Sequence, residues 1–290
     1  MTDLFAIQNE MVSNIVSALS IKLSDEELRR VARRYTSSLE AYEHFVRGQQ
    51  LYFPLNFEDN LVAREAFSRA IELDPAFARA YAGLALTYAA EWRERWPSEV
   101  DNPLDKALDI ANTALSLDHD LPEVYWVLGL INIYKKNTQT AIDFLHRAIR
   151  INPNYADAYA LLGVANIWED RMDVAVEQLL HSLRLDPAGS FLHYRMLGFA
   201  YYYREDYPRA LRYLQQAYER NPTNRDTILF LACTYLNLNQ QDEAQWMIAE
   251  LKSEQPDLVP EQLLESIPFQ DEGKRQRILR DLEQLLAAEN

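Results

Sequence analysis

Apolar residues recur at helical spacing along most of the chain, and Asp-Pro or Asn-Pro dipeptides cut the helical stretches at intervals. Residues 70–90 read AIELDPAFARAYAGLALTYAA and residues 148–168 read AIRINPNYADAYALLGVANIW. Pro75, Pro153, Pro187, Pro222 and Pro256 lie 78, 34, 35 and 34 residues apart. The first gap divides into units of 44 and 34, with His119 in the intervening position, where SLDH replaces ELDP. Proline cannot donate a helical hydrogen bond and pushes the preceding residue out of the α region, so a helix must stop at each of these points.

Counting back from each stop, small residues occupy the positions twelve and five before it: Ala63 and Ala70, Ala107 and Ala114, Ala141 and Ala148, Ala175 and Ser182, Ala210 and Ala217. The last unit has Ala244 but Leu251. A larger residue sits eight before the stop in most units, as Phe67, Leu145, Leu179, Leu214 and Ile248. These positions share one helical face. The first helix of each unit carries its own marks, such as Tyr125, Leu128 and Gly129, then Tyr159, Leu162 and Gly163. Gly48, Gly129, Gly163 and Gly198 share one position. A helical glycine costs about 1 kcal/mol relative to alanine, and close helix–helix contact gives the reason for it.

In register and in residue type these units resemble the tetratricopeptide repeat, a 34-residue helix–turn–helix. The resemblance implies an all-α, right-handed superhelical solenoid. About six repeats span residues 37–256, between an N-terminal amphipathic and linker helix region at 1–36 and capping helices at 257–290. Three extra residues near Tyr52–Asn56, ten around Glu91–Pro103 and one near Gly189 depart from the pattern, and Asn132 and Asn166 replace the usual Tyr.

In the flanks, Leu4, Ile7, Met11, Ile15 and Leu19 give residues 3–22 an apolar helical stripe. Ser24 with Glu27, and Ser37 with Glu40, have capping-box spacing. Asp271 opens a helix with an apolar stripe of Ile278, Leu282, Leu285 and Leu286. The stretches DLFAIQNEMVSNIVSAL, LSDEELRRVARR, LEAYEHFVRG and PFQDEGKRQRILRDLEQLL resemble the C-terminal region of bacterial signalling proteins. In that group an adenylate/guanylate cyclase or winged-helix domain precedes a TolB-like domain and tetratricopeptide repeats. The resemblance implies a regulatory or sensing region cut from, or left by, a longer protein. It carries over no catalytic residue.

Composition narrows the chemistry. A net charge of −15 disfavours nucleic acid, because phosphate binding needs a basic face. The single cysteine, Cys233, forms no intrachain disulfide. His44, His119, His146, His181 and His193 show no metal-ligand spacing, and no phosphate-loop, nucleophile-elbow or zinc-protease motif is present. No cofactor, metal or catalytic residue is expected, and no apolar stretch reaches the roughly 20 residues of a spanning helix. Cytoplasmic placement is expected, or periplasmic if a membrane segment precedes this region in a longer protein.

The family places certain positions of each first helix on the inner wall of the solenoid. Here those positions hold Trp126, Leu130, Tyr134, Val164, Trp168, Arg195, Met196, Phe199, Tyr202, Tyr203 and Phe230. The polar set with which some relatives clamp a peptide carboxylate is missing, and the replacement is apolar and aromatic, as in interface cores. The expectation is a groove for an apolar helix or segment: the chain's own N-terminal helix, a second copy, or another protein. Trp92 and Trp96 form a possible second contact, with both indoles placed on one helical face by their spacing. The rival readings are a homo-oligomerisation module and an all-α enzyme with a pocket in the solenoid.

Overall fold

The computed structural model describes residues 35–52, 56–187, 189, 191–254, 259–264 and 271–287. The segment 3–22, the Ser24–Glu27 pair, residues 53–55 of the first insertion and most of 255–270 lie outside the described residues. Among the described residues there are fourteen helices and no strand. They fall into two compact units, Met1–Tyr155 and Ala156–Asn290.

The first unit contains α1 (Leu39–Tyr52), α2 (Phe57–Leu73), α3 (Ala78–Glu94), α4 (Pro103–Leu117), α5 (Pro122–Tyr134) and α6 (Thr138–Ile151). The second contains α7 (Ala156–Trp168), α8 (Met172–Leu185), α9 (Phe191–Tyr203), α10 (Tyr207–Arg220), α11 (Arg225–Asn237), α12 (Gln241–Glu254), α13 (Pro260–Leu263) and α14 (Glu272–Ala287). Odd and even helices pair as A and B members of six antiparallel hairpins, and successive A helices within a unit also touch.

The helix stops have a common geometry. Asp74, Asp118, Asn152, Asp186 and Asn221 each leave the helical region, with the backbone N–H still bonded to the carbonyl four residues back. The side chains of Asp74, Asp118 and Asn152 then accept from the N–H two residues on, the Asx-turn that supplies a turn locally. Asp118 does this without a following proline, so the acidic or amide residue shapes the stop and proline reinforces it.

In four of the six hairpins the shared glycine, Gly48, Gly129, Gly163 or Gly198, meets the large residue eight before the stop. A Cβ on Gly163 would stand 2.6 Å from Leu179 Cγ, and one on Gly198 2.5 Å from Leu214 Cγ. Phe67 fills the notches of Gly48 and Gly83 from one side chain and anchors a cluster with Phe45 and Phe77. The small residues Ala63, Ala70, Ala141, Ala148, Ala175, Ser182, Ala210 and Ala217 are all fully buried.

Two local expectations change. Ser38, not Ser37, caps α1, accepting from Ala41 N at 3.1 Å. The ten-residue expansion adds a turn to α3, which runs 17 residues against 13 in α5, and then ends it at Arg95 in the left-handed region, φ 56°. Trp96 therefore lies beyond the helix, and Trp92 and Trp96 do not share a helical face.

Candidate functional site

A stripe at i, i+4 and i+8 recurs on α5, α7 and α9. In α5 the stripe is Trp126, Leu130 and Tyr134, and all three are half-buried although the rest of the helix from Val124 to Ile133 is buried. Trp92, 41% exposed, stacks on Tyr134 with ring centroids 5.5 Å apart. Trp96 turns away and meets Phe57 edge-on at 5.9 Å. Burial raises the Tyr52 phenol well above its ordinary range, against a lowering by the Arg93 guanidinium, and Arg93 also hydrogen-bonds Tyr134. The C-terminal ends of α3 and α5 thus present Trp92 and Tyr134 as one aromatic platform.

In the second unit the stripe continues with Val164 and Trp168 on α7, and Arg195, Phe199 and Tyr203 on α9. Val164, Trp168, Phe199 and Tyr203 are buried, as are Met196, Tyr202 and Phe230. Phe199 and Phe230 pack with centroids 3.7 Å apart, and Tyr202 meets Phe230 edge-on at 5.3 Å. Arg195 reaches Asp226 at 2.9 Å and lies over the Phe199 ring at 5.7 Å.

The element that meets the ends of these helices is α14. Asp271 opens this helix by accepting from Gly273 N at 2.7 Å, and the helix buries Ile278, Leu279, Leu282 and Leu285. Lys274 pairs with Asp170 just after α7, and Arg277 with Glu205 just after α9. Asp281 accepts from Tyr202 Oη at 2.5 Å and from Asn237 Nδ2 at 2.7 Å. The Leu285 carbonyl accepts from Gln245 on α12 at 3.0 Å. A narrow crevice lined by Trp168, Tyr203 and Lys274 remains at the start of the helix. In this unit the chain's own C-terminal helix thus lies against the turns after α7 and α9 and against Tyr202 and Asn237 near the ends of α9 and α11. Burial, and then the Asp281 carboxylate, push the Cys233 thiol well above its ordinary range, away from a reactive thiolate.

The turns explain the selectivity of this docking. The non-glycine residues with positive φ among those described are Arg95, Lys136, Asp170, Glu205 and Asn239. Each follows an A helix, and the last four repeat at 34- or 35-residue spacing. Asp170 and Glu205 receive the α14 cations. Sequence reading overlooked this position because residue type there varies freely; its signal was the acidic pair set against Lys274 and Arg277.

A second arrangement escaped the sequence. His193, 2% exposed, lies 3.2 Å from Ser182 Oγ and 3.2 Å from Asp157 Oδ1. Ser182 is fully buried, so this Ser–His–Asp run ties α7, α8 and α9 together and presents no hydroxyl to a substrate. Among the described residues no group of three or more His, Cys, Asp or Glu side chains is placed to hold a metal ion. No helix among them is long and apolar enough to cross a membrane.

Two tetratricopeptide-repeat family models match the chain, at residues 201–267 and 122–155. The structure is similar to that of pilF of Pseudomonas aeruginosa, with a TM-score of 0.57 and 19% identity over 76% of this chain and 93% of that one. It is also similar to a thermophilic tetratricopeptide-repeat protein of Thermus thermophilus, with a TM-score of 0.55 and 22% identity over 68% and 99% of the two chains. The described helices are a tetratricopeptide-repeat fold. A curated relative described as putative adenylate cyclase 3, from Rhizobium meliloti (strain 1021), is 32% identical over 128 residues, 44% of this chain. The match spans 22% of that relative's length.

Proposed function

We propose that this chain is a protein-interaction module that acts by binding, and that its docking surface is the α3–α5 platform of the first unit. The observation that carries this reading is one stripe in two states. Val164, Trp168, Phe199 and Tyr203 are buried in the second unit, whereas their counterparts Leu130 and Tyr134 are half-buried with Trp92 exposed beside them. An apolar face that covers itself in one unit and lies open in the other is a surface for association. The groove residues expected from sequence thereby narrow to Trp126, Leu130 and Tyr134, joined by Trp92 from the expected second contact. A partner that used Tyr202 or Tyr203 would first have to displace α14.

The resemblance of both flanks to signalling proteins, and the partial match to a putative adenylate cyclase, support a regulatory role within a signalling protein. Selection of a displayed peptide library on the full chain tests the surface. Enriched peptides should carry an apolar helical stripe and lose binding to Trp92→Ala and Leu130→Asp variants that keep wild-type circular dichroism. Peptides that bind the variants as well as the parent would sink the reading.

A further inference from the structure

Helices α10, α11 and α12 of the second unit border a crevice of about 620 Å³, within the roughly 300–1,000 Å³ of small-molecule sites. Each helix supplies one ring: Tyr218, Tyr235 and Trp246. Leu231 and Met247, both buried, also line it. Tyr218 and Trp246 stand close to perpendicular, at 77° with centroids 6.5 Å apart. The Tyr218 hydroxyl meets the Glu250 carboxylate at 2.9 Å, tying α10 to α12. Gln215 Nε2 donates to Tyr235 Oη at 3.1 Å, tying α10 to α11. Both tyrosine rings are thus held in place, while Trp246 is 58% exposed, the most of any large apolar side chain among the described residues.

The preceding repeat seats cations where this one has none. The positive-φ turn residues Glu205 and Asn239 align the two repeats at a spacing of 34. In the preceding hairpin Arg209 lies over Tyr201 at 4.9 Å and Arg212 over Tyr213 at 5.8 Å. At the same spacing Tyr235 follows Tyr201, whereas Glu243, Trp246 and Met247 replace Arg209, Arg212 and Tyr213. Other tyrosines also have a cation of the chain on their faces, as Arg220 over Tyr194 and Arg64 over Tyr88, both at 3.9 Å. Among the described residues no Lys or Arg lines the crevice, and its rim carries Glu219, Asp242 and Glu243. Carboxylates in a first turn complement the helix dipole, which accounts for Asp242 and Glu243 in α12. Glu219 stands in the last turn of α10, where a carboxylate opposes the dipole.

We propose that this crevice binds a small quaternary ammonium solute, which takes the place that Arg209 and Arg212 hold in the preceding repeat. Aromatic faces attract cations through the ring quadrupole, tryptophan most strongly. A quaternary ammonium presents methyl groups rather than N–H donors, so it suits walls of Tyr218, Tyr235, Trp246 and Met247 that offer few acceptors. The rim carboxylates supply the opposite charge. A bare metal ion is not matched, because no group of three or more His, Cys, Asp or Glu among the described residues is placed to hold one. An anion would meet three carboxylates. The same rim selects within the class: choline, neutral at its other end, fits better than betaine, whose own carboxylate would be repelled.

The test uses the full 290-residue chain labelled with 5-fluorotryptophan, whose five tryptophans give one fluorine NMR signal each. The signal lost in Trp246→Phe identifies Trp246. Titration with choline chloride at constant ionic strength should shift that signal saturably and leave the other four in place. The neutral isostere 3,3-dimethylbutan-1-ol should shift it far less. Tyr235→Leu, which removes a ring and keeps an apolar side chain, should weaken choline roughly two- to thirtyfold. Glu243→Arg rebuilds the arrangement of the preceding repeat, so it should abolish the choline response while the thermal melt by circular dichroism stays at or above that of the parent. No saturable shift up to tens of millimolar choline, an equal response to the neutral isostere, or a choline response that survives Glu243→Arg would overturn the proposal. A peptide carrying Nε-trimethyl-lysine that bound more tightly than choline would overturn the free solute in favour of a modified side chain.

Discussion

If α14 is an intramolecular ligand of the second unit, a small change in its apolar stripe should release it while the repeats stay folded. Leu282 is the site to change, being 0% exposed and in the middle of the helix. Leucine to alanine at a fully buried site costs about 2–5 kcal/mol. At about 1.4 kcal/mol per tenfold, the docking equilibrium falls between roughly 30-fold and several thousand-fold. The polar contacts cannot compensate. Asp170 and Glu205 are 51% and 65% exposed at the side chain, and exposed ion pairs contribute about 0–1 kcal/mol each. The Asp281 bonds contribute about 1.5–3 kcal/mol as hydrogen bonds to a charged group. Hydrogen exchange read by mass spectrometry resolves the outcome by segment. Leu282→Ala should deprotect α14 and the ends of α9 and α11 near Tyr202 and Asn237, and leave α8 and α10 protected. Unchanged exchange in α14 would refute the idea that its apolar stripe holds it. Uniform loss across the second unit would refute the idea that it docks as a separable element.

Gly163→Ala places a Cβ 2.6 Å from Leu179 Cγ, so an overpacking cost of about 1–3 kcal/mol should outweigh a propensity gain near 1 kcal/mol; a denaturation midpoint above wild type would contradict the notch-and-knob packing. Glu91 is 1% exposed and paired with Arg64, so Glu91→Ala should destabilise by about 3–5 kcal/mol in chemical denaturation, and a loss below 1 kcal/mol would show the pair to be dispensable. The Tyr202 and Tyr203 phenols are raised far above 10, chiefly by burial, and Tyr218 is pushed up to about 12 by partial burial and its bond to Glu250. Raised phenol values hold stability below the unfolded value of about 10 and surrender it as pH climbs toward the folded values. Unfolding followed by phenolate absorbance should therefore set in above pH 10, with a shallower slope in Tyr202→Phe, and stability flat to the alkaline limit would contradict that burial.

Much of the scaffold was readable because it rests on local rules. The Asp/Asn stops, the paired small residues and the large residue eight before each stop lie on single helices, and one period repeats them. Asp118 shows why proline was a sufficient signal and not a necessary one. The end of α3 was less readable, because nothing in EWRERW announces that Arg95 turns left-handed. The site was readable only in part. Ten of the thirteen residues of α9 are buried, and a helix apolar on every side must be covered by something. Periodicity cannot say what covers it. That information lay about 70 residues downstream, in the match between the α14 cations and two acidic turns.

The same logic locates where function can vary in this architecture. The notch glycines, the alanines and the stop residues are committed to packing, since each is fully buried or bonded into a turn. The stripe and the turn after each A helix are under no such constraint, so they can take any residue the fold tolerates, including non-glycine residues at positive φ. Within these repeats the stripe changes from Trp126, Leu130 and Tyr134 to Arg195, Phe199 and Tyr203, and the turn from Lys136 to Glu205. Both changes fall where α14 docks on the second unit and where the first unit lies open. The turns, unlike the packing positions, are therefore where the two units differ: Asp170 and Glu205 hold α14, and Arg95 and Lys136 stand at the matching places in the first unit.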